Sequence, residues 1–228
     1  MQVKINLNIV IFILLFLVTG QIELYGILML FALIHESGHL LVGGLLKWRP
    51  SVIHIMPLGL SICFHTNCED YNRKIGKGNL LSLKKIVIAA AGPVTNLICI
   101  LFFAFVPISL LGINSTVIIY SNILIALFNL LPIYPLDGGR ILKHVIQLTI
   151  GKKQAQEIST IVNNISVMLV TIFSSFAIIY FKNIAILLIV IYLWILLIIQ
   201  NKKDELKKKI YEQIEKERKQ QEKRYSVK

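Results

Sequence analysis

Long apolar runs separated by short polar stretches dominate the pattern of hydrophobic and polar positions. A soluble domain rarely holds its apolar residues in blocks near 20 long, whereas a membrane-crossing helix needs about 20 of them. We therefore predict an all-α polytopic membrane protein with six transmembrane helices. They lie near residues 7–20, 24–46, 85–111, 115–131, 161–180 and 184–200.

The N-terminal end of the chain is apolar, whereas the C-terminal end is charged. The first apolar run follows Lys4 and so has some features of a signal peptide. No small-residue cleavage site follows it, and "TGQIELYG" leads directly into the second run, so we expect it to remain as a helix. Residues 1–200 then form one membrane domain. Residues 201–228 form a charged cytoplasmic tail, either a short surface helix or a solvated segment.

Charge placement sets the expected orientation in the membrane. The chain has 228 residues, is 56% hydrophobic and carries a net charge of +12. With six spans and the tail inside, every one of the 24 lysines and arginines except Lys182 falls on the cytoplasmic side. This distribution follows the positive-inside rule, so we expect both termini in the cytoplasm, with contact to anionic lipid and no nucleic-acid partner.

The three cysteines do not indicate a disulfide framework. Cys99 lies within a predicted span, and Cys63 and Cys68 flank a segment expected on the reducing cytoplasmic side. The spacing in "CFHTNC" matches no common zinc template, so these cysteines are more simply explained as incidental.

The sequence "FALIHESGHLLV" (residues 31–42) contains the motif H-E-x-x-H within the second apolar run. His35, Glu36 and His39 fall within about 100° of arc on one helix face, and His35 is near the middle of the span. Two imidazoles on successive turns suit zinc, and a neighbouring glutamate suits a general base. The alternatives are a buried polar cluster that joins helices and a chance match, but polar groups at this depth usually have a function.

Asp137 is the candidate for a third ligand, because catalytic zinc takes three protein ligands and keeps one position open. It lies in "NLLPIYPLDGGR" (129–140), where prolines and glycines interrupt an apolar run. The alternative is that Asp137 caps a helix that starts near Arg140. We do not expect His54, His65 or His144 to be ligands, and we expect His144 at the surface.

Two other segments are expected near this site. "SVIHIMPLGLSICF" (51–64) is β-branched and too short to span as a helix, which predicts a membrane-associated β-hairpin able to pair with an unfolded substrate strand. A loop folded on the protein is the alternative. In "AGPVTN" (91–96), Gly92 and Pro93 favour close packing of the third helix, and Asn96 is expected to bond between helices in a structural role.

The order and separation of "HESGH", "AGPVTN" and "NLLPIYPLDGGR" resemble the site-2 protease family of intramembrane zinc metalloproteases. The resemblance covers residues 25–150. It implies a Zn²⁺ cofactor held by His35, His39 and Asp137, with Glu36 as the catalytic glutamate. It also implies that Asn129 helps to position substrate.

Within this family the chain is most similar to the stage IV sporulation FB protease group. That similarity implies processing of a pro-sigma factor, in a bacterial inner or forespore-surrounding membrane, under the control of inhibitory membrane partner proteins. The chain departs from related proteases in two ways. Many site-2 proteases carry a PDZ domain, but no loop here is expected to hold one. Well-known sporulation members carry a CBS domain after the last span, and the 28 residues expected there are too few for it. A metal-ion transporter or a non-catalytic membrane scaffold with a vestigial zinc site remains the alternative function.

Overall fold

Seven helices and three strands make up the computed structural model, which describes residues 2–5, 8–56, 59–65, 75–106, 113–181 and 185–226. The helices are α1 (Asn8–Val18), α2 (Ile22–Leu45), α3 (Ile75–Phe105), α4 (Ser115–Leu130), α5 (Asp137–Ile150), α6 (Lys152–Phe181) and α7 (Ala185–Ser226). The strands are β1 (Gln2–Ile5), β2 (Arg49–Met56) and β3 (Gly59–His65).

Helix α3 is the central element, because it contacts α2, α4 and α5. A cluster that includes Phe31, Phe103 and Ile118 joins α2, α3 and α4, and the rings of Phe31 and Phe103 meet edge to face at 6.3 Å. Phe31 is 1% exposed and Ile118 is fully buried. Because His35 lies one turn beyond Phe31, this packing places the H-E-x-x-H motif at the interface of α2 and α3.

A three-stranded sheet, in the order β1–β2–β3, lies at the end of α2. β2 and β3 are antiparallel and cover most of residues 51–64, for which the sequence predicts a hairpin or a loop. Their connection at residues 57 and 58 lies outside the described residues, so the hairpin and its association with a membrane stay predictions. β1 pairs in parallel with β2 and was not expected, since four residues carry almost no pattern.

Aromatic packing fixes the sheet to the helices. Trp48 is buried with Leu81 and Ile88 of α3, and Phe64 of β3 packs against the same cluster. Gly43 makes this approach possible, because a Cβ there would collide with the Phe64 ring. The sheet therefore lies beside the same part of α3 that faces the H-E-x-x-H motif.

The C-terminal half consists of three helices in sequence, with α5 packed on α6 and α6 packed on α7. Ile133, Val167, Leu193 and Leu197 form a buried cluster that joins the segment before α5 to α6 and α7. Helix α7 continues without interruption from its apolar first half to Ser226. The charged tail is therefore helical over its described residues, and this helix is longer than the short one that the sequence predicts.

Length and composition make three helical segments of the described chain able to cross a membrane: Ile22–Leu45, Leu80–Phe105 and Gln154–Tyr180. Ile9–Val18 and Ser115–Leu130 are shorter apolar helices. Large apolar side chains face outward along these elements; Phe105 is 82% exposed and Phe173 71%. Such a surface is typical of a membrane protein. The full set of six spans, the domain limits and the orientation stay predictions.

Candidate metal centre

The two histidines of the H-E-x-x-H motif are buried on one face of α2. His35 is 2% exposed and His39 3%, and their rings lie 4.9 Å apart between centroids. The Nε2 atoms of the two rings are 3.2 Å apart. The helical repeat alone brings these atoms together, because residues four apart are neighbours on a helix surface.

Asp137 reaches the same point from the first turn of α5. Its Oδ2 atom lies 3.0 Å from Nε2 of His35 and 3.1 Å from Nε2 of His39, and its side chain is buried. The helix N-cap is Leu136, without a side-chain cap, so the interpretation of Asp137 as the capping residue is wrong. Its carboxylate faces the histidines of α2 instead.

Prolines and glycines in the segment before α5 determine where Asp137 lies. A Cβ at Gly138 would collide with the Leu130 carbonyl, and one at Gly139 would lie 2.5 Å from the carbonyl carbon of Ile133. The chain therefore folds back tightly on the start of α5. The backbone N–H of Tyr134 donates to Oδ1 of Asn163 at 2.9 Å, which ties this segment to α6.

Hydrogen bonds at the far side of each ring indicate which imidazole nitrogen carries the proton. Nδ1 of His35 lies 3.0 Å from Oδ1 of Asn96, and Nδ1 of His39 lies 2.7 Å from the Ile88 carbonyl. Both oxygens are acceptors, so each Nδ1 must donate its proton. Each Nε2 of a neutral ring is then a lone-pair donor that points at the other Nε2 and at Asp137.

Three lone-pair donors this close repel one another unless a proton or a metal cation lies among them. One ligand atom from each of His35, His39 and Asp137 lies within 4.8 Å of the other two, and all three residues are buried. Two neutral imidazoles and one carboxylate match the ligand chemistry of zinc, and outward hydrogen bonds from metal-bound histidines are the usual supporting arrangement. The residues present therefore fit a divalent metal ion of the zinc type.

Helix α3 leaves room for an ion through Gly92. A Cβ at this position would collide with Nε2 of His35, and it would lie 2.5 Å from Nε2 of His39. Gly38 of α2 likewise allows close packing, because a Cβ there would collide with Oγ1 of Thr95. The glycines of both helices are therefore required by the approach of α3 to the metal centre.

Asn96 has a larger role than the structural one that the sequence predicts. It is fully buried, and its amide holds His35 through Oδ1 while Nδ2 donates to the Asn122 carbonyl at 3.2 Å. The expected bond between helices is present, but it also orients a candidate ligand. The Ile88 carbonyl could not be identified from sequence at all, since a backbone group leaves no residue-type signal.

Glu36 and Asn129 are not among the three candidate ligands. Glu36 is half-buried on α2, and its carboxylate interacts electrostatically with His35, His39 and Asp137. Asn129 donates from Nδ2 to the Ile125 carbonyl of its own helix at 3.0 Å. It lines an apolar cavity of about 110 Å³ that also reaches Ala32, one turn before Glu36. The substrate role of Asn129 stays a prediction.

His144 is half-buried, with its Nδ1 atom inaccessible to solvent, so the expectation of a surface residue is wrong. It lines a chamber between the sheet, α3 and α5. Burial, together with the positive charges of Lys85, Lys143 and Arg140, lowers the pKa of His144 to about 4. The side chains of His54, His65, Cys63 and Cys68 lie outside the described residues.

Known proteins resemble this chain in sequence and in fold. Residues 114–173 match the family model of Peptidase family M50. Stage IV sporulation protein FB of Bacillus subtilis (strain 168) is 30% identical over 129 residues, or 55% of this chain and 41% of that protein. The chain thus spans less than half the length of this relative.

A solved structure matches most of the chain. The site-2 protease from Methanocaldococcus jannaschii has a TM-score of 0.61 and 20% sequence identity, over 86% of this chain and 88% of that one. This similarity shows the fold, which is that of a largely helical membrane protein. Together the comparisons confirm the resemblance to the site-2 proteases that the three sequence motifs indicate.

Proposed function

We propose that the chain is an intramembrane zinc metalloprotease that hydrolyses a peptide bond within or beside a membrane-associated substrate. The observation that carries this proposal is the convergence of His35, His39 and Asp137 with both Nδ1 protons directed away from the centre. In this proposal these three residues hold Zn²⁺, and residues 1–200 form the protease domain.

Glu36 is the general base and acid of the proposed reaction. When bound, zinc supplies Lewis acidity that polarises the scissile carbonyl and makes water a better nucleophile. Glu36 accepts the proton of the attacking water and delivers it to the leaving amine. Its position beside His35 on α2, half-buried, leaves its carboxylate within the electrostatic reach of the donor cluster.

The remaining polar groups position the reactants. Asn96 and the Ile88 carbonyl hold the two imidazoles in the orientation in which Nε2 faces the metal. Asn129 is proposed to hold the substrate backbone from the cavity at the start of α2. An extended substrate is required because peptide bonds within a helix are shielded, and the edge of the sheet offers strand pairing for it.

A sporulation pro-sigma factor is the proposed substrate class. The similarity to stage IV sporulation protein FB and the resemblance within the site-2 proteases support it. The proposed arrangement has six spans with both termini in the cytoplasm, which places cleavage at the cytoplasmic side of the membrane. Inhibitory membrane proteins are the proposed regulators, by the same similarity.

Co-expression with candidate pro-sigma factors tests the proposal. We expect wild-type protein to shorten one of them, and Glu36→Gln to leave it intact while keeping the bound metal. Cleavage by Glu36→Gln at the wild-type rate would contradict the role of Glu36. Metal flux into vesicles without proteolysis would support a transporter. The absence of both proteolysis and metal flux would support a scaffold.

A further inference from the structure

A second cavity, of about 280 Å³, lies between β3, α3 and the start of α5. We call it the basic chamber. It touches the metal centre at two points: the carbonyl of its wall residue Ile88 accepts from His39, and Nη1 of its wall residue Arg140 lies 3.8 Å from Oδ1 of Asp137. A group bound in the chamber would therefore lie next to the metal centre.

The chamber is positively charged on one side and apolar on the other. Lys85 and Arg140 line it, while Trp48 and Phe64 form an aromatic wall. Among the described residues that line it, none is acidic. With a metal bound, the negative charge of Asp137 is shared between that ion and Arg140, which leaves a net positive charge. In a partly dehydrated space this charge attracts an anion far more strongly than it would in water.

His144 adds to the polar wall without adding charge. Its pKa of about 4 keeps the imidazole neutral at physiological pH. The ring interacts with the side chain of Gln147, whereas its buried Nδ1 atom has no hydrogen-bond partner among the described residues. A bound carboxyl or amide group would supply such a partner. The charge of the chamber at neutral pH therefore comes from Lys85 and Arg140.

We propose that the basic chamber is a substrate subsite for an acidic side chain, with Lys85 and Arg140 binding its carboxylate. This inference rests on the proposed protease function, because it assigns a residue preference near the scissile bond. Guanidinium and ammonium groups together are well suited to a carboxylate, and about 280 Å³ is close to the lower end of ligand pockets, near 300 Å³.

The sheet explains how a peptide reaches the chamber. Ile62 and Phe64 are two positions apart on β3, lie on one face of the strand and both line the chamber. In the described part of the chain β3 is an edge strand. A substrate strand added beside it directs every second side chain to the chamber face. An anionic lipid headgroup carries a similar charge. The contacts of the chamber wall with His39 and Asp137 favour the peptide, because they place the chamber next to the proposed site of cleavage.

Trp48 provides a direct measurement, since the chain has only two tryptophans. In a zinc-loaded Glu36→Gln, Trp194→Phe double variant, Trp48 is the single tryptophan and can be excited selectively over the tyrosines, and no peptide is hydrolysed. The probes are capped seven-residue peptides of Val and Ser with a central Glu, Gln or Lys, titrated in neutral detergent micelles. The readout is binding, so it does not depend on proteolysis.

We expect the Glu peptide to change Trp48 emission with a Kd about tenfold lower than that of the Gln peptide, and the Lys peptide to bind most weakly. Lys85→Glu should reverse the order of the Glu and Lys peptides. Lys84→Glu makes the same change of charge one residue away, outside the chamber lining, and should keep the wild-type order. In Lys85→Gln, the difference in Kd between the Glu and Gln peptides should be smaller than it is with Lys85.

Equal affinity for the three peptides would overturn the proposal, as would the same order in Lys85→Glu and Lys84→Glu. A Trp48 response to added phosphatidylglycerol but not to peptide would overturn it in favour of a lipid site. Retained zinc in each variant shows that the fold is intact. If wild-type protein cleaves no substrate, the protease proposal fails, whereas the binding order still decides whether the chamber recognises an acidic side chain.

Discussion

At the scale of single residues, the metal centre depends on atoms that fix the histidine protons rather than on the three ligands alone. Asn96 and the Ile88 carbonyl each accept one Nδ1 proton, so both Nε2 atoms are available to a cation. These two hydrogen bonds outside the ligand set therefore favour the binding of a metal ion at the Nε2 atoms.

Replacement of Asn96 tests whether its hydrogen bond to His35 supports metal binding. Asn96→Leu removes the acceptor for His35 and should weaken zinc binding by about 10–100-fold, the usual effect of losing such a partner. Asn96→Asp keeps an acceptor and should retain most of the affinity. Competition with a fluorescent chelator measures both. Equal affinity of Asn96→Leu and wild type would show that the hydrogen bond does not orient His35.

Gly92→Ala tests the space between α2 and α3. The added methyl group would occupy the position beside both Nε2 atoms, so we expect loss of stoichiometric zinc. Gly44→Ala is the matched control, because no atom of the described residues lies within 4 Å of a Cβ at that helical position. Alanine favours a helix over glycine, so the control should fold at least as stably as wild type. Full zinc occupancy in Gly92→Ala would contradict the site geometry.

At the scale of secondary-structure elements, the segment before α5 positions Asp137 because α6 holds it. The Tyr134 N–H bond to Asn163 is the link, and Asn163 is 2% exposed. We expect Asn163→Leu to leave the half-buried backbone donor of Tyr134 without its side-chain acceptor, at a cost of about 1 kcal/mol, and to reduce kcat.

The adjacent Asn164 provides the control for this prediction. Asn164→Leu removes a side-chain bond to Asn201 at the same depth of α6 but leaves the Tyr134 contact intact. Thermal unfolding and turnover in detergent separate the two effects. If both variants lose stability equally while Asn163→Leu keeps the wild-type kcat, the link to α6 does not position Asp137.

Much of this arrangement follows from local pattern, and the rest does not. The helical repeat places His35 and His39 on one face, and the prolines and glycines around Asp137 mark a break in the helices. The role of Asn96 requires knowing how α3 docks on α2, which no periodicity specifies. The basic chamber combines residues from four separated segments. The length of α7 was detectable, because no proline or glycine follows Gly151.

At the scale of the whole molecule, apolar surface and charge distribution together determine the orientation we propose. Lys182 is the only basic residue expected outside the cytoplasm. Alkaline phosphatase fused after residue 182 should therefore be active in a bacterial host, and green fluorescent protein fused after residue 228 should fluoresce. The reverse pattern would contradict both the orientation and cleavage from the cytoplasmic side.

The most direct test of the central claim is the rate at which purified protein cleaves a membrane-tethered pro-sigma substrate, measured before chelation, after chelation and after zinc is returned. The proposed mechanism predicts that chelation abolishes cleavage, that one equivalent of zinc restores it, and that Glu36→Gln binds the same equivalent without cleaving. Cleavage that survives complete removal of metal, or that persists in zinc-loaded Glu36→Gln, would contradict the assignment of a zinc protease with Glu36 as its base.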